Sequence, residues 1–396
     1  MIITIFEDNY TDDLFPFSLT HVTFELRCGS FSNLQRIKNL VKKNDEIHLI
    51  VREELVSLVK ERYPNYIVNP DFIHPGILIN GSTIWDSKNL NKIKDEKIYL
   101  KNKKLVGMHL NKKISIKEFK ALLIIKDAIS HQINTPHFDY IWDGLFFQKN
   151  IIKKDKLDFD GMHEGDCHSS VILKNKKEII ICKNSKVLAG CVLDATEGPI
   201  IIGKNVTIDI GALIKGPAYI GDYTIINPGA KLRGNISFGP MCKVGGEVED
   251  TIILGYTNKQ HDGYLGHSYL GEWINLGANT NNSDLKNNYS NINILLNGQT
   301  IETQRQFLGV MIGDYTRTGI STMLNTGTII GVCANIFGSG FQKKNIKSFA
   351  WGEIDKTDLE KLFETIKIIK ARREKKFSKT EKVQLTKIYN NININN

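Results

Sequence analysis

No stretch of the chain approaches the ~18 consecutive apolar residues needed to cross a bilayer, so no segment reads as a membrane span. The opening residues Met1 to Glu7 have no cationic stretch and no small-residue cleavage site. They read as a strand from the outset, so no signal peptide and a cytoplasmic setting are expected. Cysteine is sparse: six residues, none in a C-x-x-C pair. That leaves neither a zinc framework nor a disulfide one, and suits small buried hydrophobes in a reducing compartment. Aromatic residues are not interleaved with the cations. A net charge of +9 spread over both halves therefore argues against a nucleic-acid surface, while it suits nucleotides, coenzyme A and sugar phosphates.

What is present is a chain of 396 residues, 41% hydrophobic, enough for two or three globular domains. From Ile202 an apolar residue returns at every sixth position: Ile208, Ile214, Ile220, Ile226, Leu232, Phe238 and Val244. Four positions after these stand mostly small or β-branched residues, among them Val206, Ala212, Ala218, Thr224 and Ala230. Period six matches neither a helix nor an open alternating sheet. It matches a prism of short strands, in which the aliphatic residue points inward and the small one lets the chain turn: a hexapeptide β-helix. The series resumes with Ile312, Thr318, Leu324, Ile330 and Ile336. The Asn-rich stretch from Asn279 to about Gln306 reads as an inserted loop that carries function.

Residues 1–165 alternate strand-like and helix-like segments. Strands are expected at Ile2–Phe6, Glu46–Val51, Ile77–Asn80 and Ile98–Leu100, and helices after Ser32, at Glu53–Arg62 and at Ser115–Ile129, the last with Ile116, Phe119, Leu122, Leu123 and Ala128 on one face. This predicts an α/β domain with a parallel sheet, whose ligands sit beyond the carboxyl ends of the strands. The β-helix is assigned to 166–340. A charged helix from Lys356 to Lys376, within a last unit 341–396, is expected to cap its end.

A β-helix by itself gives no activity. The chemistry is sought where the repeat breaks, in Gly245–Val248, Asn258–Gly266 and Asn275–Asn282. His261 falls at the break among Gly and polar residues, where it suits the base that takes a proton from an attacking amine. Nearby Asn side chains and backbone N–H groups suit a developing oxyanion. The alternatives are a structural loop histidine, a zinc site using His261 and His267, which lacks a third His, and a non-catalytic trimeric scaffold. For an acyl donor, the small residues Gly313, Gly319, Gly327, Gly331 and Ala334 offer a channel. Lys343 and Lys344 offer cations for its phosphates, with Arg372 and Arg373 as helpers.

The block from Lys231 to Asn282 resembles the acetyltransferase half of the GlmU family, the bifunctional glucosamine-1-phosphate acetyltransferases and N-acetylglucosamine-1-phosphate uridyltransferases. It carries Leu232-Arg233-Gly234, Gly246-Glu247-Val248, His261-Asp262-Gly263-Tyr264-Leu265-Gly266 and Asn275-Leu276-Gly277-Ala278-Asn279-Thr280 in the family's order. Nearly the whole chain resembles the divergent branch of this family in Bacteroidota-type bacteria, through Gly245–Val248, His261–Gly263, Leu270–Trp273, Thr280–Tyr289 and Ser348–Gly352. The resemblance implies a nucleotidyltransferase-like, Rossmann-like domain followed by a left-handed β-helix. It implies His261 as the acetyl-transfer base, with Arg233, Glu247, Tyr264 and Asn275 holding the sugar phosphate and Ala278 and Gly313 near acetyl-CoA.

The chain departs from the family in places. Glu249 stands where the family has a phosphate-binding Lys, so that contact is expected from Lys243 or Lys259. After the first strand comes Glu7-Asp8-Asn9 in place of a Gly-rich loop. What remains, Leu14–Thr20 followed by Glu25-Leu26-Arg27, makes Arg27 the phosphate-binding cation implied by the resemblance. Ile79-Asn80-Gly81-Ser82 lacks the usual metal-binding Asp, which leaves Asp143 and Asn150 as the Mg²⁺ ligands. The expectation is a homotrimer that acetylates glucosamine 1-phosphate from acetyl-CoA and joins the product to UTP, giving UDP-N-acetylglucosamine for peptidoglycan precursors. In the alternative, only the acetyltransferase half is active, or the protein is a nucleotide-sugar-sensing scaffold.

Overall fold

The structure, a computed structural model, describes residues 1–93, 97–124, 130–159 and 161–392. Ala128 of the expected Ser115–Ile129 helix lies outside them. Among the described residues, no helix is long and apolar enough to cross a membrane.

The N-terminal domain is built on seven strands: β1 (Ile2–Phe6), β2 (Glu46–Ile50), β3 (Ile67–Val68), β4 (Gly76–Asn80), β5 (Ile98–Lys101), β6 (Lys104–Leu110) and β7 (Ser130–Gln132), in the order β7-β5-β6-β4-β1-β2-β3. β1 is parallel to both β2 and β4. β6 runs antiparallel to β4 and β5, so the sheet is mixed, not wholly parallel. The cause is a two-residue turn: Asn102 and Lys103 both take positive φ, 49° and 65°, and fold β5 back into β6 as a hairpin. Helix α1 (Asn33–Leu40) starts at a capping box, with Ser32 Oγ accepting from Gln35 N at 3.3 Å and Gln35 Oε1 accepting from Ser32 N at 2.9 Å. With α2 (Val56–Arg62) it buries Leu34, Ile37, Leu58 and Val59 against one face of the sheet. Helix α3 (Ile116–Leu122) covers the other face through Phe119, which meets Phe6 edge to face. Helix α4 (Asp143–Asp155) leads to the second domain.

From Asp166 the chain winds into a left-handed parallel β-helix with three columns of strands. The first column carries Thr207–Ile208, Ile225–Ile226, Lys243–Val244 and Asn258–Lys259. The second carries Leu213–Lys215, Lys231–Leu232, Glu247–Glu249 and Tyr264–Gly266. The third holds nine strands, from Ile179–Ile181 to Asn345–Ile346. Period six is thus one third of an eighteen-residue coil: Ile202 pairs with Ile220 and Ile220 with Phe238, Ile208 with Ile226, and Ile214 with Leu232. These residues fill the prism.

Two strands of the third column read as unbroken aliphatic triplets, Ile200-Ile201-Ile202 and Ile252-Ile253-Leu254, because both of their faces are covered. Its outer residues Ile252, Leu254, Tyr269, Met311 and Ile329 pack with Leu14, Phe17, Leu26, Phe138, Trp142 and Leu145 of the first domain. The insertion folds as a hairpin, Asn293–Leu296 against Gln299–Glu302. It adds Ile292, Ile294 and Leu296 to that seam, while Asn297 Nδ2 donates to Asp12 O at 2.9 Å. The hairpin welds the two domains together, while the residues ahead of it, Asn279 to Asp284, approach the candidate site.

Helices α5 (Leu359–Ala371) and α6 (Lys379–Asn391) do not sit on the end of the β-helix. They lie along the corner between the third and first columns, where Tyr256, Trp273, Tyr315, Cys333 and Phe349 succeed one another, each with positive φ. Tyr256 and Trp273 stack at 4.3 Å, and Leu362, Phe363 and Ile366 cover the row. The thirteen residues of α5 rise about 20 Å, which is the height of roughly four coils. An amphipathic helix of that length finds more apolar surface on the flank than on one terminal coil.

Candidate functional site

His261 occupies the corner between the first and second columns, and its side chain is exposed. The local fold explains its position. The rung after Val244 is Lys259, not the Asp262 that a full coil would bring. The shortened coil places a lysine in an inward slot, where it is 2% exposed. Its Nζ turns back to donate to the His261 carbonyl at 2.5 Å. Burial pulls the Lys259 pKa down to about 8, with Asp262 opposing. Glycine is required beside it: Gly246 has φ +70°, and a Cβ there would stand 2.7 Å from His261 O and 2.8 Å from Lys259 Nζ.

On the outer face of the second column, next to this corner, lie the residues expected to bind the acceptor. Arg233 Nη1 pairs with Glu247 Oε1 at 2.8 Å and its Nε with Glu249 Oε2 at 3.2 Å. The Tyr264 hydroxyl, with one proton to give, lies 2.5 Å from Glu249 Oε1 and 2.7 Å from Asp284 Oδ2. Burial and these two carboxylates push its pKa far up, so it stays a donor. His267 Nδ1 meets Asp284 Oδ2 at 2.7 Å; burial lowers the His267 pKa, but Asp284, Asp250 and Glu249 outweigh it and the shift is upward. Glu249, His267 and Asp284 bring their ligand atoms within 4.8 Å of one another. Each is already hydrogen-bonded to a protein partner. His267 stands at the next corner, turned towards Asp284, so it does not face His261 as a zinc pair would require. The pairing of Glu249 and Asp284 with Tyr264 and His267 was not apparent from sequence, where the two acids lie 35 residues apart with no shared motif.

Asn275 lies on the first column, on the other side of the His261 corner, and its Oδ1 accepts from Asn258 Nδ2 at 3.3 Å. Ala278 follows at the His261 corner, one coil on, half-buried. Gly313 is buried at the corner between the third and first columns, where a Cβ would meet Val332 N at 2.8 Å. It serves coil stacking and faces no groove, which corrects its assignment to the acyl donor. Lys343 and Lys344 are exposed at the corner between the second and third columns. The expected donor contacts therefore stand on three different edges of the prism.

In the N-terminal domain the sheet order reverses between β1 and β4, and ligands of such sheets sit outside the strand ends at that point. There Asp8 Oδ2 accepts from Asn80 Nδ2 at 2.7 Å. Lys104 Nζ lies 2.8 Å from Asp139 Oδ1 and 4.3 Å from the Tyr10 ring centre. Asp143 accepts from Asp139 N at 2.9 Å and Tyr140 N at 2.8 Å, and burial raises its pKa to about 6. Asn150 is exposed, two turns along α4. Asp143 is thus a turn cap and does not converge with Asn150, so the pair does not fit a Mg²⁺ site. Asp8, Asp139 and Lys104, which sequence reasoning passed over, are the groups at the strand ends.

Arg27 is not at the strand ends. It is 6% exposed in the seam. Its backbone N donates to the Tyr269 hydroxyl at 3.0 Å, its Nη1 donates to Ser30 O at 2.9 Å, and its guanidinium lies 5.8 Å from the Tyr219 ring centre. It joins the domains, with its guanidinium turned to Ser30 O and the Tyr219 ring.

Residues 3–160 match the family described as sugar nucleotidyl transferase, and residues 199–234 match bacterial transferase hexapeptide repeats. The chain is 27% identical over 244 residues to the bifunctional sugar-1-phosphate nucleotidylyltransferase/acetyltransferase of Sulfurisphaera tokodaii, covering 59% of this chain and 55% of that protein. It is 31% identical over 147 residues to the bifunctional protein GlmU of Acaryochloris marina, covering 37% and 28%. It is 31% identical over 134 residues to GlmU of Methanocaldococcus jannaschii, covering 34% and 30%. The matched segment thus spans just over half of the first relative and less than a third of the other two. Residues 3–160 are thus similar to sugar nucleotidyl transferases, residues 199–234 to the hexapeptide repeats of bacterial transferases, and the chain is similar over part of its length to the bifunctional GlmU proteins.

Proposed function

We propose that this protein makes a nucleotide-linked N-acetyl amino sugar, UDP-N-acetylglucosamine, in two steps. The β-helix transfers acetyl from acetyl-CoA to the amino group of glucosamine 1-phosphate. The amine attacks the thioester carbonyl, the C–N bond forms, the C–S bond breaks, and His261 takes the amine proton for return to the departing thiolate. The observation that carries this reading is the place of His261: an exposed imidazole on the edge between a face bearing Arg233, Glu247 and Tyr264 and a face bearing Asn275. A backbone pinned by Lys259 holds the imidazole in place for proton transfer. Lys343 and Lys344 reach a donor beside Ala278 only across a boundary between copies, which suits a homotrimer.

In the second step the N-terminal domain joins N-acetylglucosamine 1-phosphate to UTP. The sugar phosphate oxygen attacks the α-phosphorus and diphosphate leaves. The family match over residues 3–160 supports this half. Mg²⁺ is the ion such a step takes, and Asp143 with Asn150 does not supply its site. A second reading, that this domain binds a nucleotide sugar without turning it over, is favoured by the burial of Arg27. Both steps belong to a cytoplasmic setting, where their substrates are made.

The test is to mix the purified protein with glucosamine 1-phosphate, acetyl-CoA, UTP and Mg²⁺ and to follow each product by mass. Acetylation followed by appearance of the UDP sugar is expected. Acetylation alone selects the second reading, and no acetylation overturns the first step.

A further inference from the structure

Between Glu7 and Arg27 the chain that leaves β1 holds no glycine, so it lacks the residues that let successive backbone N–H groups turn towards a phosphate. Here the carbonyls are engaged instead. Four consecutive ones are each held by a side chain. Arg52 Nη2 donates to Ser18 O and to His21 O, Arg62 Nη1 to Thr20 O at 2.9 Å, and Gln384 Nε2 to Leu19 O at 3.0 Å. Arg52 and Arg62 belong to the first domain. Gln384 comes from α6, at the other end of the chain, and is buried.

Beside this clamp opens a cleft of about 940 Å³, a size usual for small-molecule sites. One wall stands at the carboxyl ends of two neighbouring strands, where the ligands of such sheets sit: Asp8 and Asn9 follow β1, and Arg52 and Glu54 follow β2. The opposite wall is α6, through Gln384, Lys387 and Asn390.

The charges decide what this cleft takes. Arg52 is paired with Glu7, and Lys104 at the neighbouring strand ends is paired with Asp139. Arg27, expected to meet the phosphates, lies in the seam. Lys387 is exposed and lines the cleft, and among the described residues it has no ion-pair partner. A phosphate seated at the strand ends thus finds its unneutralised cation on α6, outside the segment that resembles sugar nucleotidyl transferases. The carboxamides of Asn9 and Asn390, on opposite walls, both donate and accept, as a base edge or a ribose requires.

We propose that α6 is the second wall of the first domain's nucleotide site. Lys387 takes a phosphate of a nucleoside diphosphate group, and Gln384 is a positioning residue that sets the loop through Leu19 O. A nucleoside triphosphate and a nucleotide sugar share that group. The site is then complete only when the last helix has docked. That the ligand is a nucleotide rests on the nucleotidyl-transfer reading; the clamp on the loop does not.

The experiment is calorimetric titration of the full-length protein, Lys387→Gln, Lys387→Arg and Gln384→Leu with UTP, UDP-N-acetylglucosamine and uridine, beside thermal melting and acetyl transfer. Lys387→Gln is expected to bind both nucleotides at least about tenfold more weakly, as losing one charged hydrogen bond entails. Uridine affinity, melting temperature and acetyl transfer should not change, and Lys387→Arg should restore binding. Gln384→Leu should weaken both nucleotides and uridine alike, since it loosens the loop and leaves the cation in place. In the wild type, either nucleotide should slow hydrogen exchange in 379–391. If Gln384→Leu fails to fold, Lys387→Gln and the exchange measurement still decide. Weaker binding of the UDP sugar alone keeps the wall and gives the cleft to a nucleotide sugar. Wild-type affinity for both nucleotides in Lys387→Gln, with no protection of 379–391, overturns the wall and leaves the nucleotidyl-transfer reading standing. A wild type that binds UTP through Lys387 yet forms no UDP sugar overturns uridyl transfer alone. A wild type that binds neither nucleotide overturns both.

Discussion

His21 Nε2 stands 2.9 Å from Asp314 Oδ2, 293 residues along the chain, and Thr20 Oγ1 donates to the same oxygen at 2.8 Å. The other imidazole nitrogen meets Glu25 Oε2 at 2.9 Å, and Arg62 Nη1 closes on Glu25 at 3.0 Å. A loop of the first domain is thereby locked into the corner of the β-helix through buried charges. Burial alone would lower the His21 pKa, but Asp314 and Glu25 raise it from 6.5 to about 10.

The sign of the pH dependence follows. A histidine whose folded pKa lies above its unfolded value adds stability that is fully present below pH 6.5. That stability is lost as pH rises through about 10. The melting temperature of the wild type should therefore fall between pH 7 and 10 more steeply than that of His21→Asn. His21→Asn should cost about 3–5 kcal/mol at pH 7, because it leaves Asp314 buried without its cation. Parallel melting curves for the two proteins across this range would count against the network.

His261→Ala should lower acetyl transfer by at least ~10²-fold, as loss of a general base does, with uridyl transfer and melting temperature unchanged. The measurement is steady-state acetylation of glucosamine 1-phosphate beside uridyl transfer. A folded variant with the wild-type acetylation rate removes His261 from the chemistry.

Lys259→Met keeps the volume of the inward slot and removes a charge from it. Replacing a buried ion by an apolar side chain is often neutral or stabilising by about 1–4 kcal/mol, so the variant should unfold at equal or higher denaturant. Its acetyl-transfer kcat should nevertheless fall about tenfold or more, because the peptide carrying His261 loses its tether. Hydrogen exchange in the segment 260–263 should quicken. Unchanged exchange would show that the tether is idle.

Arg27→Ala should lower both activities together with stability, since its guanidinium closes the seam against Tyr219 and holds Ser30 O. A selective loss of nucleotide binding, with the seam intact by melting temperature, would return Arg27 to the substrate.

The prism was legible because a coil of three equal faces writes its period directly into the chain, and a broken period marks a break in the coil. The corner position of His261 could be read for that reason. Arg27 misled because an Arg after a short loop reads alike whether it meets a phosphate or a tyrosine; only the seam decides. Lys259 was hidden by the same shortened coil that exposes His261. Counting by sixes puts the inward position three residues too late, so the lysine passes for a surface cation. The hairpin at Asn102-Lys103 lacked the glycine that announces such turns. The triplets Ile200-Ile201-Ile202 and Ile252-Ile253-Leu254 did announce a strand buried on both faces, though not what would cover it. The partners of Tyr264 were beyond reach, since Glu249 and Asp284 meet only across successive coils.

The seam also sets a timetable for synthesis. The first domain leaves the ribosome with Phe17, Leu26 and Trp142 facing water. Most of their cover, Tyr269, Met311 and Ile329, is translated well over a hundred residues later. His21 waits longer still for Asp314, and Leu19 O waits for Gln384, which donates to it at 3.0 Å. The nascent first domain is therefore a client for whatever shields apolar surface during translation. A ribosome that stalls within the β-helix releases an incomplete folding unit.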